Sequence, residues 1–180
     1  MGIYNKLNNN NKHKIMFVCL GNICRSPAAQ GVMQRMIDER GLASQFYLDS
    51  AGTYGGHAGE LPDRRMRVHA QRRGYNLTHR SRRVTGSDFE EFDVIVAMDS
   101  SNYRDLQEMV ATVEECDKII KMGDYIRHYQ YYDHIPDPYY EGAEGFELVL
   151  NLLEDACESL LDELLAVWKA SSKANDFGIE

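Results

Sequence analysis

The chain has 180 residues, 43% of them hydrophobic and 27% charged, proportions typical of a single globular domain with its own core. Its formal net charge of −8 argues against general binding to nucleic acid, and no stretch is long and apolar enough to predict a membrane span or an export signal. The four cysteines lack the close pairs of a zinc site. We therefore expect free thiols, no metal or other cofactor, and a cytoplasmic protein.

Strand and helix patterns alternate along the chain. Because alternating strands and helices favour right-handed βαβ units, the sequence predicts an α/β domain with a parallel sheet. We place this domain at residues 14–170, between a disordered tail at 1–13 and a flexible tail at 171–180. The predicted strands are 14–19, 46–50, 94–98 and 118–122, and the predicted helices are 27–40, 62–73, 100–110 and 145–170.

The segment from Cys19 to Ser26, called here the phosphate loop, carries the main functional signal. Cys19 ends the first predicted strand, and Arg25 follows five intervening residues later, just before the helix start at Pro27. Inward-pointing backbone N–H groups and a helix N-terminus make such a loop a cup for a phosphate-sized dianion, which Arg25 can grip with two N–H groups. The same field favours the Cys19 thiolate. We expect phosphoryl transfer through Cys19, with the cup formed by Leu20, Gly21, Asn22, Ile23, Cys24 and Ser26.

Asp137 is the second candidate catalytic residue. It lies between Pro136 and Pro138, which restrict the backbone of the loop that carries it. Cleavage of a phosphotyrosine expels a phenolate, so an acid must protonate the leaving oxygen, and the same carboxylate can later take a proton from the attacking water. An Asp-Pro pair alone is a common turn. Together with the phosphate loop, it favours general acid/base catalysis.

Four motifs together resemble the low-molecular-weight protein-tyrosine phosphatases. The resemblance extends from about residue 14 to residue 168. It implies a three-layer α/β/α fold with a four-stranded parallel sheet, a phosphocysteine intermediate and no metal. The motifs are VCLGNICRSP (18–27), DSAGT (49–53), VTGSDF (84–89) with MDSSN (98–102), and DPYY (137–140).

The resemblance also implies roles for individual residues. Cys19 becomes the nucleophile, Arg25 the phosphate clamp and Asp137 the general acid. The loop is held in shape by a hydrogen-bond network of four further residues, in which the Ser26 hydroxyl helps to activate Cys19. The His79 assignment rests on a local pattern, and an ordinary surface histidine is the alternative there. The network residues are Asn22, Ser26, Ser50 and His79.

The rim of the predicted site favours an aromatic substrate. Apolar Leu20 and Ile23 would flank the leaving group, while Tyr139 and Tyr140 could stack on an aryl ring or, alternatively, pack in a core or interface. Tyr54 stands near a position where the family commonly carries a bulky aromatic residue. Relatives that hydrolyse phosphoarginine tend to carry Thr at the Ile23 position, so a protein-arginine phosphatase is the second choice.

Two other classes remain open. An arsenate reductase on this fold would need resolving cysteines, but no closely spaced cysteine pair follows Cys116. A phosphate-binding module without turnover would need neither a thiolate nor a proton donor. We expect a tyrosine-phosphorylated protein as the substrate, no nucleic-acid or membrane partner, and a monomer or weak homodimer.

Cys24 lies inside the phosphate loop, close to Cys19 in sequence. Most second cysteines are inert, small apolar residues. Here, Cys24 could instead trap an oxidised Cys19 as a disulfide and protect it from further oxidation.

The charge is unevenly distributed. Eight arginines lie between positions 64 and 83, whereas residues 141–163 are strongly acidic. Solvated helix faces are the simpler interpretation. The alternative is a basic shoulder, formed by these arginines, that draws acidic phosphopeptides towards the cup.

Overall fold

The structure of the protein, a computed structural model, describes the backbone of residues 12–176 and the side chains of residues 12–171. All four predicted strands form, with bounds that differ from the prediction by two residues at most. They make one parallel sheet in the order β2-β1-β3-β4. The strands are β1 (His13–Cys19), β2 (Phe46–Gly52), β3 (Val94–Ala97) and β4 (Ile119–Lys121).

Between residues 12 and 176, six α-helices connect and cover the strands. Two of them, α3 and α5, were not predicted, because helices this short show no hydrophobic period. Each is instead stabilised by a capping box, Thr85 with Asp88 in α3 and Thr112 with Glu115 in α5. The helices are α1 (Arg25–Glu39), α2 (Arg64–Arg72), α3 (Gly86–Glu91), α4 (Ser100–Met109), α5 (Val113–Cys116) and α6 (Ala143–Asp176).

The last helix is longer than predicted. It begins at Ala143 and ends at Asp176, so residues 171–176, assigned to a flexible tail, are helical. At the other end, His13 belongs to β1 rather than to the predicted N-terminal tail. The remaining tail predictions, for 1–11 and 177–180, lie outside the described residues. Within the described part, no helix has the length and apolarity needed to cross a membrane.

The sheet separates two hydrophobic clusters, which confirms the three-layer arrangement. Ile15 and Phe17 of β1 pack into the cluster that contains α1 and α6, whereas Met16 and Val18 face the cluster that contains α3 and α4. All four side chains are fully buried. The unbroken apolar run of β1 therefore reflects a strand covered by helices on both faces.

The sheet has two functionally different edges. At the carboxyl edge, Cys19 ends β1, Gly52 ends β2, and Asp99 follows β3. Ligands bind at this edge in open parallel sheets. At the opposite edge, Trp168 of α6 stacks on His13 with ring centroids 3.7 Å apart, so the end of α6 lies away from the site.

Candidate active site

The phosphate loop joins the end of β1 to the start of α1. Cys19 is the last residue of its strand and Arg25 the first of its helix, and each is 2% exposed. The end of β2 supports the loop, because the N–H of Thr53 donates to the Cys19 carbonyl at 3.0 Å and that of Tyr54 to the Leu20 carbonyl at 2.9 Å. The N-terminus of α1 thus faces the loop, where its dipole favours an anion.

Gly52 allows β2 to approach the phosphate loop closely. A Cβ at this position would lie 2.6 Å from the Leu20 carbonyl oxygen and 3.1 Å from the Asn22 nitrogen. Both are backbone atoms, so no side chain fits without displacing the loop. The glycine of the DSAGT motif therefore has a steric role.

The thiol of Cys19 has a hydroxyl partner. Its Sγ lies 3.0 Å from Oγ of Ser26, and that oxygen accepts a hydrogen bond from Nδ2 of Asn22 at 2.8 Å. Either the thiol or the hydroxyl can be the donor in this contact, and the Ser26 hydroxyl also lies 3.4 Å from the Ala51 carbonyl oxygen. When the hydroxyl donates to the sulfur, that hydrogen bond and the α1 dipole both favour a thiolate.

Asn22 is the centre of the loop. Its φ of 56° is left-handed, which few residues other than glycine adopt. Nδ2 donates to the hydroxyls of Ser26 at 2.8 Å and Ser50 at 3.0 Å. Oδ1 accepts from Nε2 of His79 at 3.1 Å and the N–H of Arg82 at 3.0 Å. The buried amide thus uses its two donors and two acceptor positions fully.

His79 acts here as a hydrogen-bond donor to Asn22. Burial is the largest effect on its pKa and lowers it, Asp49 raises it, Arg82 lowers it, and a backbone hydrogen bond at Ser50 raises it. Because both Nδ2 protons of Asn22 go to serine hydroxyls, its Oδ1 accepts from Nε2 of His79, whose Nδ1 lies 3.5 Å from Asp49. The alternative of an ordinary surface histidine does not fit this position.

Arg82 fixes the segment that carries His79. Its guanidinium contacts Asp49 of β2 at 2.8 Å and Asp88 of α3 at 2.9 Å. The hydrogen bonds of this cluster raise the pKa of Arg82 although burial, the largest effect, lowers it. Because its backbone N–H also reaches Asn22, the ion cluster and the phosphate loop share one residue.

Arg25 is aimed by two carboxylates. Nη1 donates to Asp99 at 2.6 Å and to the Ile135 carbonyl at 3.2 Å, while Nη2 donates to Asp137 at 3.2 Å. Burial has the largest effect and lowers its pKa, but negative charge on Cys19, Asp137 and Asp99 raises it more. The guanidinium therefore stays charged inside the protein.

Asp137 faces the cup from a separate loop. The Ile135 N–H donates to the Met98 carbonyl at 2.9 Å, which ties this loop to the end of β3. Oδ1 of Asp137 accepts from the Tyr139 N–H at 3.1 Å, and Oδ2 contacts Arg25. The carboxyl group is 43% exposed, so it lies at the mouth of the site with access to water.

A cavity of about 240 Å³ contains the reactive groups. Tyr54, Tyr139 and Tyr140 form part of its wall, and their exposed fractions are 57%, 37% and 93%, which excludes core packing for Tyr54 and Tyr140. Within residues 12–171, the cavity included, no group of three or more His, Cys, Asp or Glu side chains could hold a metal ion. The cavity is lined by Cys19, Leu20, Gly21, Ile23, Cys24, Arg25, Tyr54, His57, Asp137, Tyr139 and Tyr140.

Cys24 lies in the same cavity wall, and its thiol has a raised pKa. Burial raises the pKa of its thiol, and the nearby Asp63, Cys19 and Asp137 raise it further. Cys24 therefore remains protonated at neutral pH. Of the two loop cysteines, Cys19 has the hydroxyl donor and is the one suited to attack phosphorus.

The structure brings all the predicted site residues together and adds several that the sequence analysis missed. Asp99 caps the start of α4 with one carboxylate oxygen and holds Arg25 with the other. His57 lines the cavity, and its Nδ1 lies 2.9 Å from a Glu60 oxygen. Asp49 and Arg82 lie inside or near the motifs of the resemblance, but their pairing shows no local sequence pattern.

A buried thiol beside an arginine in an anion cup, opposed by a carboxyl group, is the arrangement of a cysteine-dependent phosphatase. Residues 14–170 match the model of the family described as low molecular weight phosphotyrosine protein phosphatase. A Synechocystis protein provisionally named as a low molecular weight protein-tyrosine-phosphatase is 46% identical over 151 residues, covering 84% of this chain and 96% of its own. The chain therefore belongs to the low molecular weight phosphotyrosine protein phosphatase family.

Solved structures support the same assignment. The crystal structure of a protein tyrosine phosphatase from Entamoeba histolytica superposes with a TM-score of 0.84 at 44% identity, covering 86% of this chain and 98% of that one. A crystal structure of an arginine phosphatase from Drosophila has a TM-score of 0.78 at 33% identity, covering 84% of this chain and 97% of that one. The fold is thus shared by proteins named for two different phosphoamino acids.

Substitution of Asn22 tests whether this residue holds the phosphate loop in its phosphate-binding shape. Asn22→Gly removes the four side-chain hydrogen bonds but tolerates the backbone conformation, whereas Asn22→Ala also incurs the left-handed strain of about 1–2 kcal/mol. We expect both variants to bind inorganic phosphate more weakly than the wild type, and Asn22→Ala to be the weaker of the two.

The measurement is the competitive inhibition constant of phosphate, with thermal unfolding followed in parallel. Asn76→Ala, a change at an exposed asparagine, is the matched control. Wild-type phosphate affinity in Asn22→Ala would contradict the role of this residue.

Proposed function

We propose that the protein hydrolyses phosphotyrosine in proteins through a cysteinyl-phosphate intermediate. Cys19 is the nucleophile, Arg25 the phosphate clamp and Asp137 the general acid and base. One observation carries this proposal. The Cys19 thiol, bonded to Ser26, and the Asp137 carboxyl group, bonded to Arg25, face each other in the same cavity across a phosphate-sized cup.

In the first step, the Cys19 thiolate attacks the phosphorus. A sulfur–phosphorus bond forms, the bond from phosphorus to the aryl oxygen breaks, and that oxygen takes the proton of the Asp137 carboxyl group. Arg25 and the backbone N–H groups of the phosphate loop stabilise the charge on the other phosphoryl oxygens. A protonated acid at the mouth suits a leaving group that must depart towards solvent.

In the second step, water attacks the phosphocysteine. Asp137, now a carboxylate, takes a proton from that water, and the sulfur–phosphorus bond breaks to give inorganic phosphate and the Cys19 thiolate. The Ser26 hydroxyl, 3.0 Å from the sulfur, stabilises the thiolate as it leaves. The enzyme thus returns to its starting state without an external proton carrier other than water.

The walls of the cavity support an aryl substrate. Ile23 presents an apolar side chain, and the Tyr139 and Tyr140 rings meet edge to face at 5.0 Å. The Tyr54 ring lies directly over Gly56, since a Cβ there would be 2.2 Å from Tyr54 Cε1. Tyr54 therefore fills the space that a side chain at position 56 would take, and together these groups suit a flat ring.

We further propose a cytoplasmic protein that acts on tyrosine-phosphorylated partners as a monomer or weak homodimer, with no nucleic-acid partner. The support is its negative charge and its four cysteines, all of which are free thiols. Free thiols of this number are typical of a reducing compartment.

The first test is phosphate release from a phosphotyrosyl peptide in EDTA by the wild type and by Cys19→Ser. We expect release by the wild type and none by the variant, because a hydroxyl at this position is a far weaker nucleophile than a thiolate. Circular dichroism should show that the variant is folded. Release from a phosphoarginyl peptide but not from a phosphotyrosyl one would replace the proposed substrate with the second candidate.

Asp137→Ala tests the acid. We expect turnover of phosphotyrosine to fall by about 10²–10⁴-fold, the range typical of a lost general acid. An aryl phosphate with a good leaving group, such as 4-nitrophenyl phosphate, should lose less in its phosphorylation step, because its phenolate departs without a proton. Single-turnover kinetics separates that step, and an equally small loss for both substrates would contradict the role of Asp137.

We also propose that Cys24 protects Cys19 from irreversible oxidation. Peroxide converts the Cys19 thiolate to a sulfenic acid, and the Cys24 thiol then displaces its hydroxyl group as water to form a disulfide. The support is the position of both sulfur-bearing residues in one cavity wall. Since burial and nearby negative charge raise the pKa of Cys24, disulfide formation should accelerate as the pH rises.

Peroxide inactivation followed by dithiothreitol tests this protection. Wild-type activity should recover fully, whereas Cys24→Ser should remain largely inactive, because its Cys19 proceeds to the sulfinic acid. Cys116→Ser, a change at a cysteine outside the cavity, is the matched control and should recover like the wild type. Equal recovery of Cys24→Ser and wild type would exclude the mechanism.

A further inference from the structure

The arginines of the basic shoulder have different surroundings. Arg65, Arg73 and Arg82 form ion pairs with acidic side chains, so their charges are locally balanced. Arg80 and Arg83 are exposed, and neither forms an ion pair with any residue between 12 and 171. These two arginines therefore present net positive charge to solvent.

Both exposed arginines contact the rim loop, defined here as residues 54–60. The Arg83 stem packs on Gly55, where a Cβ would lie 3.3 Å from Cδ of the arginine. Nη1 of Arg80 donates to the Gly59 carbonyl at 2.8 Å. Tyr54 and His57 of the same loop line the cavity, so both arginines contact a loop that forms part of the cavity wall.

The other side of the mouth has the opposite charge. Glu141 and Glu144 follow Tyr140, are exposed, and form no ion pair within the described side chains. On the rim loop itself, the one acidic residue, Glu60, already contacts His57 at 2.9 Å. The mouth is therefore positive along the rim loop and negative beyond Tyr140.

We propose that Arg80 and Arg83 bind acidic side chains next to the phosphotyrosine, so that the preferred substrates are phosphotyrosines in acidic sequences. This inference rests on the proposed phosphotyrosine hydrolysis. The acidic flank of the peptide runs over the rim loop, while its other flank passes the Glu141 side. Exposed charge pairs of this kind are weak and screened by salt, so they act on kcat/KM through peptide capture rather than on the chemical step.

Three phosphotyrosyl peptides of equal length test the proposal. One carries two Glu before the phosphotyrosine, one carries two Glu after it, and one carries Ala on both sides. At low salt, wild-type kcat/KM should be about two- to fivefold higher for at least one Glu peptide than for the Ala peptide. Salt of about 0.5 M should remove most of this preference.

Charge reversal then locates the binding surface. Arg80→Glu with Arg83→Glu should abolish the preference and favour a Lys-flanked peptide instead, while leaving turnover of 4-nitrophenyl phosphate unchanged. Lys12→Glu with Lys169→Glu, an equal change of charge at the opposite edge of the sheet, is the matched control and should keep the preference. Arg83→Ala introduces no new charge and should lose part of the preference for acidic peptides. This variant tests the proposal even if the double variant does not fold.

Two results would overturn the proposal. One is equal kcat/KM for all three peptides in the wild type, and the other is a preference that survives in both Arg83→Ala and the double variant. If the wild type turns over neither the peptides nor 4-nitrophenyl phosphate, the proposed function falls as well. Intact turnover without an acidic preference overturns the Arg80 and Arg83 assignment alone.

Discussion

The hydrogen bonds of the Asn22 amide hold the active site in shape. A cup of inward-facing N–H groups requires a sharp reversal of the backbone, and here a non-glycine residue adopts φ of 56° to make it. The side chain offsets this strain through bonds to two serine hydroxyls, His79 and the Arg82 N–H. One amide thus connects the loop to β2 and to the segment before α3. The nucleophile depends on it too, because Ser26 reaches Cys19 with its oxygen already bonded to Asn22.

Electrostatic interactions give neighbouring residues of the active site different chemical roles. Arg25 is almost fully buried, and a buried charge is stable only when it is paired. Asp99 supplies the permanent partner at 2.6 Å, whereas Asp137 is held more loosely at 3.2 Å and is open to water. Asp99 therefore fixes the direction of the clamp, and Asp137 keeps the access to water that its proposed role requires. The two loop cysteines are divided similarly, because Cys19 has a donor while burial and negative charge raise the pKa of Cys24.

The reactive residues could be predicted from sequence because their signals are local. Cys19 and Arg25 lie within one loop, and the continuous apolar run before Cys19 predicts the buried strand β1. By contrast, Asp99 reaches Arg25 across 74 positions, and Arg82 reaches Asp49 across 33. Such pairs depend on which strands are neighbours in the sheet. No local sequence pattern predicts the strand order β2-β1-β3-β4, so these pairs could not be predicted either. The short helix α3 was missed because its stability comes from a capping box and from Arg82 rather than from a hydrophobic period.

Substrate choice must arise around the groups that hold the phosphoryl group. In the proposed function, Arg25 and the backbone N–H groups of the phosphate loop serve the phosphoryl group, which all candidate substrates share, so they do not distinguish one phosphoamino acid or peptide from another. Discrimination then falls to the side chains of Ile23 and the tyrosines for the ring, and to Arg80 and Arg83 for the flanking sequence. The Tyr54 side chain fills the space over Gly56, and the Arg83 stem packs on Gly55. Neither side chain makes any of the four hydrogen bonds of the Asn22 amide. Substitutions of these rim side chains can therefore change the preferred peptide while the bonds that shape the phosphate loop stay in place.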